Sequence, residues 1–247
     1  MAAVLTLGIE TSNPSARVGD DAGWGPEVAL AWAGPEGVRL VDREGLDLSN
    51  PHDDDLLPAI ARLCARAGVK PREIGRVAVS IGPGGFTATR IAVAAGKMIA
   101  EVTGALCVPV PSAWVAACQA MRAAPFEGGL AVALAVKGAT AFVTEFDAGE
   151  FPIARGHGVL RTREELMELP GRGVGTLLGD RFLLDLVGDS LAGVRGLTVR
   201  GMGFDALSCI EMAGLSAPVD PAALVPMYPR EAEAVTKWRE LKARRGG

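Results

Sequence analysis

The sequence predicts an α/β protein whose sheets are flanked by helices, and three observations support this fold class. Short runs of Val, Leu and Ala alternate along the chain with segments whose apolar residues recur every three or four positions, which are the patterns of buried strands and amphipathic helices. Aromatic residues make up only 5% of the 247 residues while glycine occurs 32 times, so the core is mainly aliphatic and turns are numerous. The same order of predicted strands and helices also starts a second time in the second half of the chain.

The first run of elements lies before residue 125. We expect strands at residues 4–9, 28–32, 38–41, 77–81 and 107–110. We expect amphipathic helices at residues 53–68, at 91–102 and from Ser112 onward, since Ser112 is a suitable N-cap. The segment 123–129 contains one Pro and two Gly residues and is the best candidate for a domain boundary.

The second run repeats this order. Predicted strands at residues 130–136, 141–146, 153–159 and 174–178 accompany a helix that begins at Thr162, where Glu165 completes a capping box. We therefore predict two lobes, 1–124 and 125–247, with duplicated mixed sheets and with the last helix returning to the first lobe. The duplication rests on the order of elements, because no sequence identity between the halves supports it.

Charge, hydrophobicity and cysteine content argue against several classes of protein. The chain has 25 Lys and Arg against 29 Asp and Glu, a net charge of −4, which disfavours tight nucleic-acid binding by the chain alone. The N-terminus lacks the basic start of a signal peptide and no apolar run is long enough to span a membrane, so we expect a cytoplasmic protein. The cysteines show no metal-ligand spacing, and we expect four buried thiols in a reducing compartment: Cys64, Cys107, Cys118 and Cys209.

A glycine-rich turn lies between a predicted buried strand and a predicted helix. Gly82, Gly84 and Gly85 stand where backbone N–H groups at the start of a helix can bind an anion such as phosphate. The segment matches neither of the two common glycine-rich nucleotide-binding motifs. It is also typical of a tight strand-to-helix turn in which glycine only allows close packing, and the motif alone leaves both interpretations open.

Four short motifs, taken in order, carry a resemblance to a known family. They are LGIETS at residues 7–12, H-x-x-x-L-L-P at 52–58, GPGGFTATRI at 82–91, and PMYPR at 226–230, the last followed by Ala234. Together they resemble the TsaB (YeaZ) family, the non-catalytic partners of the enzyme that makes threonylcarbamoyladenosine in tRNA. The motifs span most of the chain, although residues 110–220 match only in the order of elements.

The resemblance implies a two-lobed actin-like or sugar-kinase-like (ASKHA) fold and a scaffolding function. It implies that the chain binds and organises a TsaD-like catalytic paralogue, works with a TsaE-like ATPase, reaches tRNA only through that complex and forms a homodimer when alone. No cofactor is required. We retain weak ATP or ADP binding as an expectation, with five candidate phosphate-site residues: Glu10, Thr11, Gly82, Gly84 and Gly85.

Departures from the family pattern disfavour catalysis. The paralogue binds metal through His-x-x-x-His, whereas the corresponding residues 112–116 contain no histidine. The first strand ends in Glu10 where the family usually has Asp, and the Asp-Ala-Arg of the second lobe is replaced near Val136, Lys137 and Gly138. An actin-like ATPase needs carboxylates at both lobe turns. Residues 15–27 also form an insertion relative to typical members, so this insertion and the altered turn leave open a different partner or role.

Several residues support both a functional and a structural interpretation. The sequence HDDD at residues 52–55 suits a metal cluster or an acidic helix start stabilised by the helix dipole. Glu10 is either the remnant of an acidic residue of a phosphate site or a residue that caps the following turn. Lys137 is compatible with a phosphate contact or with a solvated surface charge. The six basic residues between 230 and 245 are compatible with tRNA contact or with a solvated helix. We favour the structural interpretation except at Glu10, where neither is preferred.

Two predicted helices carry more apolar surface than one sheet face can bury. In the helix after Phe86, we expect a partner to contact Val93, Lys97 and Ala100. The opposite row is expected to face the sheet and comprises Ile91, Ala94, Ala95, Met98, Ile99 and Val102. In the preceding helix, the candidate partner contacts are Leu56, Ile60 and Ala61. In the resembled family, the corresponding helices form a bundle with the paralogue or with a second copy. The alternative is that these rows face the chain's own core.

The predicted function is therefore that of an accessory subunit without catalysis of its own. Two alternatives from other classes stand beside it: an active ATPase or phosphotransferase of the same fold, and a glycoprotease-like hydrolase. The missing second-lobe carboxylate argues against the first. The missing metal-binding histidines argue against the second, since the chain contains only His52 and His157.

Overall fold

The computed structural model of the chain describes residues 2–14, 25–49, 54–124, 126, 128–149, 151–187, 193–230, 238 and 242. Its strands form two five-stranded sheets. The first sheet consists of β1 (Val4–Glu10), β2 (Glu27–Gly34), β3 (Gly37–Gly45), β4 (Arg76–Ser80) and β5 (Leu106–Val110). The second consists of β6 (Gly129–Lys137), β7 (Thr140–Phe146), β8 (Val159–Thr162), β9 (Val174–Gly179) and β10 (Thr198–Gly201).

Both sheets have the same topology. In the first, with the order β3-β2-β1-β4-β5, the first three strands of the chain form an antiparallel meander and β4 and β5 add in parallel beside β1. In the second, with the order β8-β7-β6-β9-β10, the meander β6-β7-β8 is followed in the same way by parallel β9 and β10. The predicted α/β class with duplicated mixed sheets is therefore confirmed.

The helices form three layers around the sheets. They are α1 (Leu56–Ala67), α2 (Phe86–Thr103), α3 (Ser112–Ala123), α4 (Arg163–Met167), α5 (Arg181–Val187) and α6 (Ala206–Met212). Helices α1 and α2 cover the outer face of the first sheet, α3 and α6 lie between the sheets, and α4 and α5 cover the outer face of the second. Both α1 and α2 end at a glycine in the left-handed conformation, Gly68 (φ 66°) and Gly104 (φ 75°), as a glycine stop requires.

Side chains alternate between the two faces of β1, and the two faces pack in different hydrophobic cores. Leu5, Leu7 and Ile9 pack beneath α1 and α2. The opposite face turns towards α6, where a Cβ added at Gly8 would lie 2.5 Å from the carbonyl oxygen of Ala206. Glycine at this position therefore lets α6 pack directly on the strand.

Two local predictions in the second half have different outcomes. The capping box is confirmed, because the backbone N–H of Thr162 donates to Glu165 Oε2 (2.7 Å) and that of Glu165 to Thr162 Oγ1 (3.4 Å). The strand at 153–159 is wrong, since only one bridge, at Ala154, precedes β8. The segment contains Gly156 at φ 151°, a conformation that only glycine adopts readily and that interrupts a regular strand. In the first half, Ser112 is the first residue of α3 rather than its N-cap.

The segment at residues 216–230 returns to the first sheet as an irregular stretch that contains one 3₁₀ turn at Pro221–Ala223. Val219 bridges Cys107 on the edge strand β5, and Leu224 is buried in the core beneath α2. The backbone N–H of Met227 then donates to Ile81 O (2.7 Å). The predicted last helix falls mainly on residues 231–247, which lie outside the described residues apart from 238 and 242.

All four cysteine thiols are free and buried, as the absence of metal-ligand spacing predicted. Among the described residues, no helix combines the length and the apolar composition that a membrane span requires.

Candidate functional site

The glycine turn packs against the segment that follows β1. The backbone N–H of Gly85 donates to Ser12 O (2.7 Å), and a Cβ at Gly84 would overlap the same oxygen. Gly82 adopts φ 98° and lies under the carbonyl of Met227, which would stand 3.2 Å from an added Cβ. Close packing thus accounts for the glycines, as one of the two interpretations from sequence predicted.

Glu10 lies beside this turn, at the end of β1, and is buried. Its Oε1 accepts hydrogen bonds from the backbone N–H (2.8 Å) and hydroxyl (2.7 Å) of Ser12, whereas Oε2 has no partner among the described residues. Burial raises the pKa of Glu10 to about 7, and the charge of Asp205 acts in the same direction. Glu10 therefore caps the turn that follows it, and its carboxyl faces the protein interior.

The five candidate phosphate-site residues therefore do come together at the ends of β1 and β4, but several of their groups have internal partners. Thr11 is buried and its hydroxyl donates to Ala88 O (3.4 Å). Glu10 is not accessible to a metal ion in this arrangement. These residues do not fit a magnesium-bound nucleotide, and weak ATP or ADP binding stays a prediction.

The turn between β6 and β7 occupies the equivalent place in the second lobe. Residues 135–140 contain no carboxylate, and the guanidinium of Arg230 binds here instead. It donates to Ala135 O (2.6 Å), Thr140 O (2.9 Å) and Thr140 Oγ1 (2.7 Å). The chain's own tail thus binds the backbone oxygens at both ends of this turn.

A cluster of charged residues between the sheets was not predicted from the sequence. Asp205 caps α6 by accepting from Ser208 N (2.6 Å) and pairs with Arg122 (2.5 Å). Glu27 accepts from Ala206 N (2.8 Å), and burial raises the pKa of Glu27. An Asp before a helix is a recognisable N-cap, but Arg122 lies 83 positions from Asp205 and Ala206 lies 179 from Glu27, so these two contacts could not be identified from the sequence.

The orientation of α2 differs from the prediction. Val93 (4% exposed) and Ala100 (2%) pack into the core, and Lys97 Nζ donates to Ala222 O (3.1 Å). The expectation that these three residues form the outer side of the helix is therefore wrong. A mid-helix glycine explains the orientation, since a Cβ at Gly96 would lie 2.5 Å from Val79 Cγ2 in the sheet.

The opposite side of α2 is the exposed one. The α2 row, as we call it, recurs every four residues and consists of Phe86, Arg90, Ala94, Met98 and Val102, all exposed. At its beginning, the guanidinium of Arg90 stacks on the Phe86 ring (3.7 Å to the centroid) and its Nε donates to Tyr228 Oη (2.7 Å).

Helix α1 bears a second exposed row on the same side of the sheet. The α1 row consists of Leu57 (45% exposed), Ala61 and Ala65. Leu56 and Ile60 are buried in the core, so of the three predicted contacts on this helix only Ala61 faces outward. The α1 row is bordered by ion pairs that fix the helix to β3, among them Arg62–Glu44 (2.7 Å).

Comparisons with known proteins agree with this architecture. A family model described as TsaD, tRNA N6-adenosine threonylcarbamoyltransferase, matches residues 47–156. A crystal structure of an uncharacterized protein with similarity to peptidase YeaZ from Pseudomonas aeruginosa is similar at a TM-score of 0.69 and 18% identity, covering 92% of this chain and 100% of that one. YeaZ from Pseudomonas aeruginosa is similar at a TM-score of 0.65 and 17% identity, covering 91% and 99%. No curated protein gives a significant match.

The chain has the YeaZ fold. The likeness to YeaZ that the motifs indicated is confirmed at the level of the fold, as is the predicted α/β class with duplicated mixed sheets. Of the other sequence candidates, His52, Asp53 and most of the 15–27 insertion lie outside the described residues. Within the described part of the chain, no group of three His, Cys, Asp or Glu residues could hold a metal ion.

Proposed function

We propose that the chain is a non-catalytic subunit of the machinery that forms threonylcarbamoyladenosine in tRNA, and that it binds and organises a TsaD-type paralogue. The YeaZ fold and the match of residues 47–156 to the threonylcarbamoyltransferase model support the assignment to this modification. The scaffolding role within it depends on one observation: α1 and α2 pack on the same core of the first sheet, and the outer sides of both carry rows of exposed apolar side chains.

The α2 row is unusually apolar for a solvent-facing side of a helix. Phe86 is 57%, Met98 47% and Val102 82% exposed. Small residues lie between the larger ones, Ala94 on α2 and Ala61 on α1, and small side chains let the backbone of another helix approach closely. Exposed apolar rows of this kind, on two helices that cover the same face of a sheet, mark a protein interface. A pair of helices from a partner would complete a bundle with α1 and α2.

The occupant that fits best is a paralogue of the same fold. The matched segment 47–156 includes both α1 and α2, so a TsaD-type protein carries the corresponding helix pair. Two similar helix pairs can pack around a pseudo-twofold axis, in which each side presents the same surface. On the same reasoning a second copy of the chain occupies the surface when the paralogue is absent. A TsaE-like ATPase and tRNA then join the complex rather than the lone chain, whose net charge is −4.

The chemistry of the site supports a role without catalysis. The glycine turn is packed against Ser12, the second-lobe turn is filled by Arg230, and Glu10 is buried. The chain has two histidines, and His157 is exposed on the second lobe while His52 lies 105 positions before it. No constellation of a nucleophile with a histidine base is found in the described part of the chain. An ATPase, phosphotransferase or hydrolase would need groups that these contacts do not provide.

The test places an arginine in each exposed row. Ala94→Arg and Ala61→Arg are expected to leave the far-UV circular dichroism and the unfolding midpoint unchanged, because both positions are exposed. They are expected to weaken association with a co-expressed TsaD-type protein, and self-association of the lone chain, by at least tenfold. Ala123→Arg is the matched control, since Ala123 is an exposed alanine in the last turn of α3, away from both rows.

Analytical ultracentrifugation gives the two association constants. Folded variants that associate like the wild type would remove the proposed interface. Equal weakening by the Ala123→Arg control would show that added charge, rather than the two rows, controls association. Steady-state threonylcarbamoyl transfer by the lone chain, measured with labelled threonine and tRNA, would contradict the non-catalytic assignment.

A further inference from the structure

A cleft on the second lobe takes no part in the proposed docking surface or in either lobe turn. Its volume is about 430 Å³, within the range of small-molecule sites. It lies where β9 and the edge strand β10 begin, and the ring of Phe126, from the link between α3 and β6, forms one wall. Gly175 and Gly196 contribute backbone to the floor, which leaves room for a ligand close to the main chain.

Three hydrogen-bond donors point from the same face of the sheet into this cleft. Thr176 and Thr198 are register partners on the parallel strands β9 and β10, so their side chains stand beside each other on one face. Arg200 follows Thr198 by two residues and therefore lies on that same face. All three line the cleft.

These three side chains have no hydrogen-bond or ion-pair partner among the described residues. Three other arginines in the second half of the chain are paired: Arg155 with Asp147 (2.8 Å), and Arg161 and Arg172 with Glu145 (3.1 and 2.9 Å). Arg200 instead lies over the Phe126 ring, 5.0 Å from its centroid. A half-buried guanidinium held on an aromatic ring, with no carboxylate among the described residues that line the cleft, attracts an anion.

We propose that this cleft binds the phosphate group of a small phosphorylated molecule. Arg200 presents a planar fork of N–H donors, and the two hydroxyls approach from neighbouring strands, so the donors converge from three positions. The three terminal oxygens of a phosphate monoester are arranged tetrahedrally and can accept from donors that converge from three directions, whereas the two oxygens of a carboxylate lie in one plane. The volume exceeds that of a free phosphate ion and leaves space for the organic part, with the Phe126 ring as its apolar wall.

The experiment uses the full chain and four probes: adenosine 5′-monophosphate, adenosine, inorganic phosphate and citrate. Calorimetric titration of the wild type is expected to show saturable binding of the monophosphate and of inorganic phosphate, and none of adenosine. Arg200→Gln should weaken monophosphate binding by roughly tenfold or more, the loss expected for a hydrogen-bonded charge pair. Thr198→Val, at an exposed position, should weaken it by a few-fold with the fold intact. Arg163→Gln is the control, because it removes an equal charge from an exposed site on α4.

Each remaining outcome overturns the proposal. Equal binding of adenosine and its monophosphate would show that the phosphate is not recognised, and tighter binding of citrate would identify a carboxylate site. Unchanged affinity in Arg200→Gln and Thr198→Val would place the anion elsewhere, for example at the glycine turn. No binding of either phosphate probe to the wild type at millimolar concentration would exclude the site. None of these results depends on the docking surface of α1 and α2, so the two proposals fail separately.

Discussion

Replacing Glu10 by Gln is expected to stabilise the protein above neutral pH while changing little in acid. The carboxyl is buried at the end of β1 with one oxygen bonded to Ser12 and the other without a partner among the described residues. No cation compensates its charge in the described contacts, and Asp205 adds repulsion. Gln keeps the oxygen that accepts from Ser12 and cannot ionise. The substitution therefore removes the charge and keeps the hydrogen bonds.

The magnitude follows from the shift in pKa. Burial raises the pKa of Glu10 from 4.5 to about 7, and each unit of difference between folded and unfolded states corresponds to about 1.4 kcal/mol. The folded state binds the proton more tightly, so the contribution of Glu10 is fully present below pH 4.5 and is lost as the pH rises to 7. The loss amounts to about 3 kcal/mol and is complete above pH 7. Glu10→Gln should accordingly match the wild type near pH 4.5 and exceed its stability by up to about 3 kcal/mol at pH 8.

Urea unfolding followed by tryptophan fluorescence at several pH values between 4.5 and 8 measures this difference. The comparison cancels carboxylates that titrate in both proteins, such as Asp55, whose pKa is held at about 2 by the Arg62 guanidinium. Glu36→Gln is the control, since it makes the same substitution at an exposed position in the turn between β2 and β3. A constant offset between Glu10→Gln and the wild type across this range would refute the argument from burial.

Three further predictions concern the two turns. Gly84→Ala should lower the free energy of unfolding by about 1–3 kcal/mol, because the added methyl overlaps Ser12 O. Gly45→Ala is the control and should leave the free energy of unfolding unchanged, because nothing lies within 4 Å of its new Cβ. Urea unfolding of both variants measures the difference. Arg230→Met should cost about 1.5–3 kcal/mol by removing the charged hydrogen bonds to the β6–β7 turn, and an unchanged thermal midpoint would contradict that contact. The purified chain with ATP and magnesium should show no turnover near the ~10 per second of a typical enzyme. Activity of that size, abolished by Glu10→Ala, would restore the ATPase alternative.

The spacing of apolar residues predicted an element correctly wherever it fitted a strand or a helix but not both. The strand at 77–81 is continuous and apolar, and it forms the buried β4. The Thr162–Glu165 capping box gave the start of α4 correctly because its two hydrogen bonds are local. The strand at 153–159 failed because apolar residues at its ends outweighed two glycines at 156 and 158. Gly158 is required by packing, since its missing Cβ makes room for the Phe142 ring, and that contact is not visible in the local sequence.

In α2, the apolar pattern alone did not identify which side of the helix is buried. Apolar residues occur on every side of the helix, so spacing alone could not decide between Val93 and Ala94 as the buried residue. The deciding residue is Gly96, at which only a hydrogen fits against Val79 of the sheet. A glycine inside a helix costs about 1 kcal/mol relative to alanine, and its presence therefore indicates a close contact on that side. Applied to the sequence, this rule would have placed Val93 and Ala100 in the core.

The positions of the family-like motifs give the glycine turn a function that does not involve phosphate. Residues 7–12 supply Ser12 O, which binds the N–H of Gly85 and fixes the residue before α2. The turn leads directly into Phe86, the first residue of the α2 row. The tail motif 226–230 adds Tyr228, whose ring lies 5.7 Å from that of Phe86 and whose hydroxyl accepts from Arg90. Three motifs, the outer two more than 200 residues apart in sequence, therefore meet at the start of one helix. If α2 is the docking helix, these contacts set its direction and hold its first exposed side chains in place, which gives the glycine-rich turn a structural role that is independent of any nucleotide.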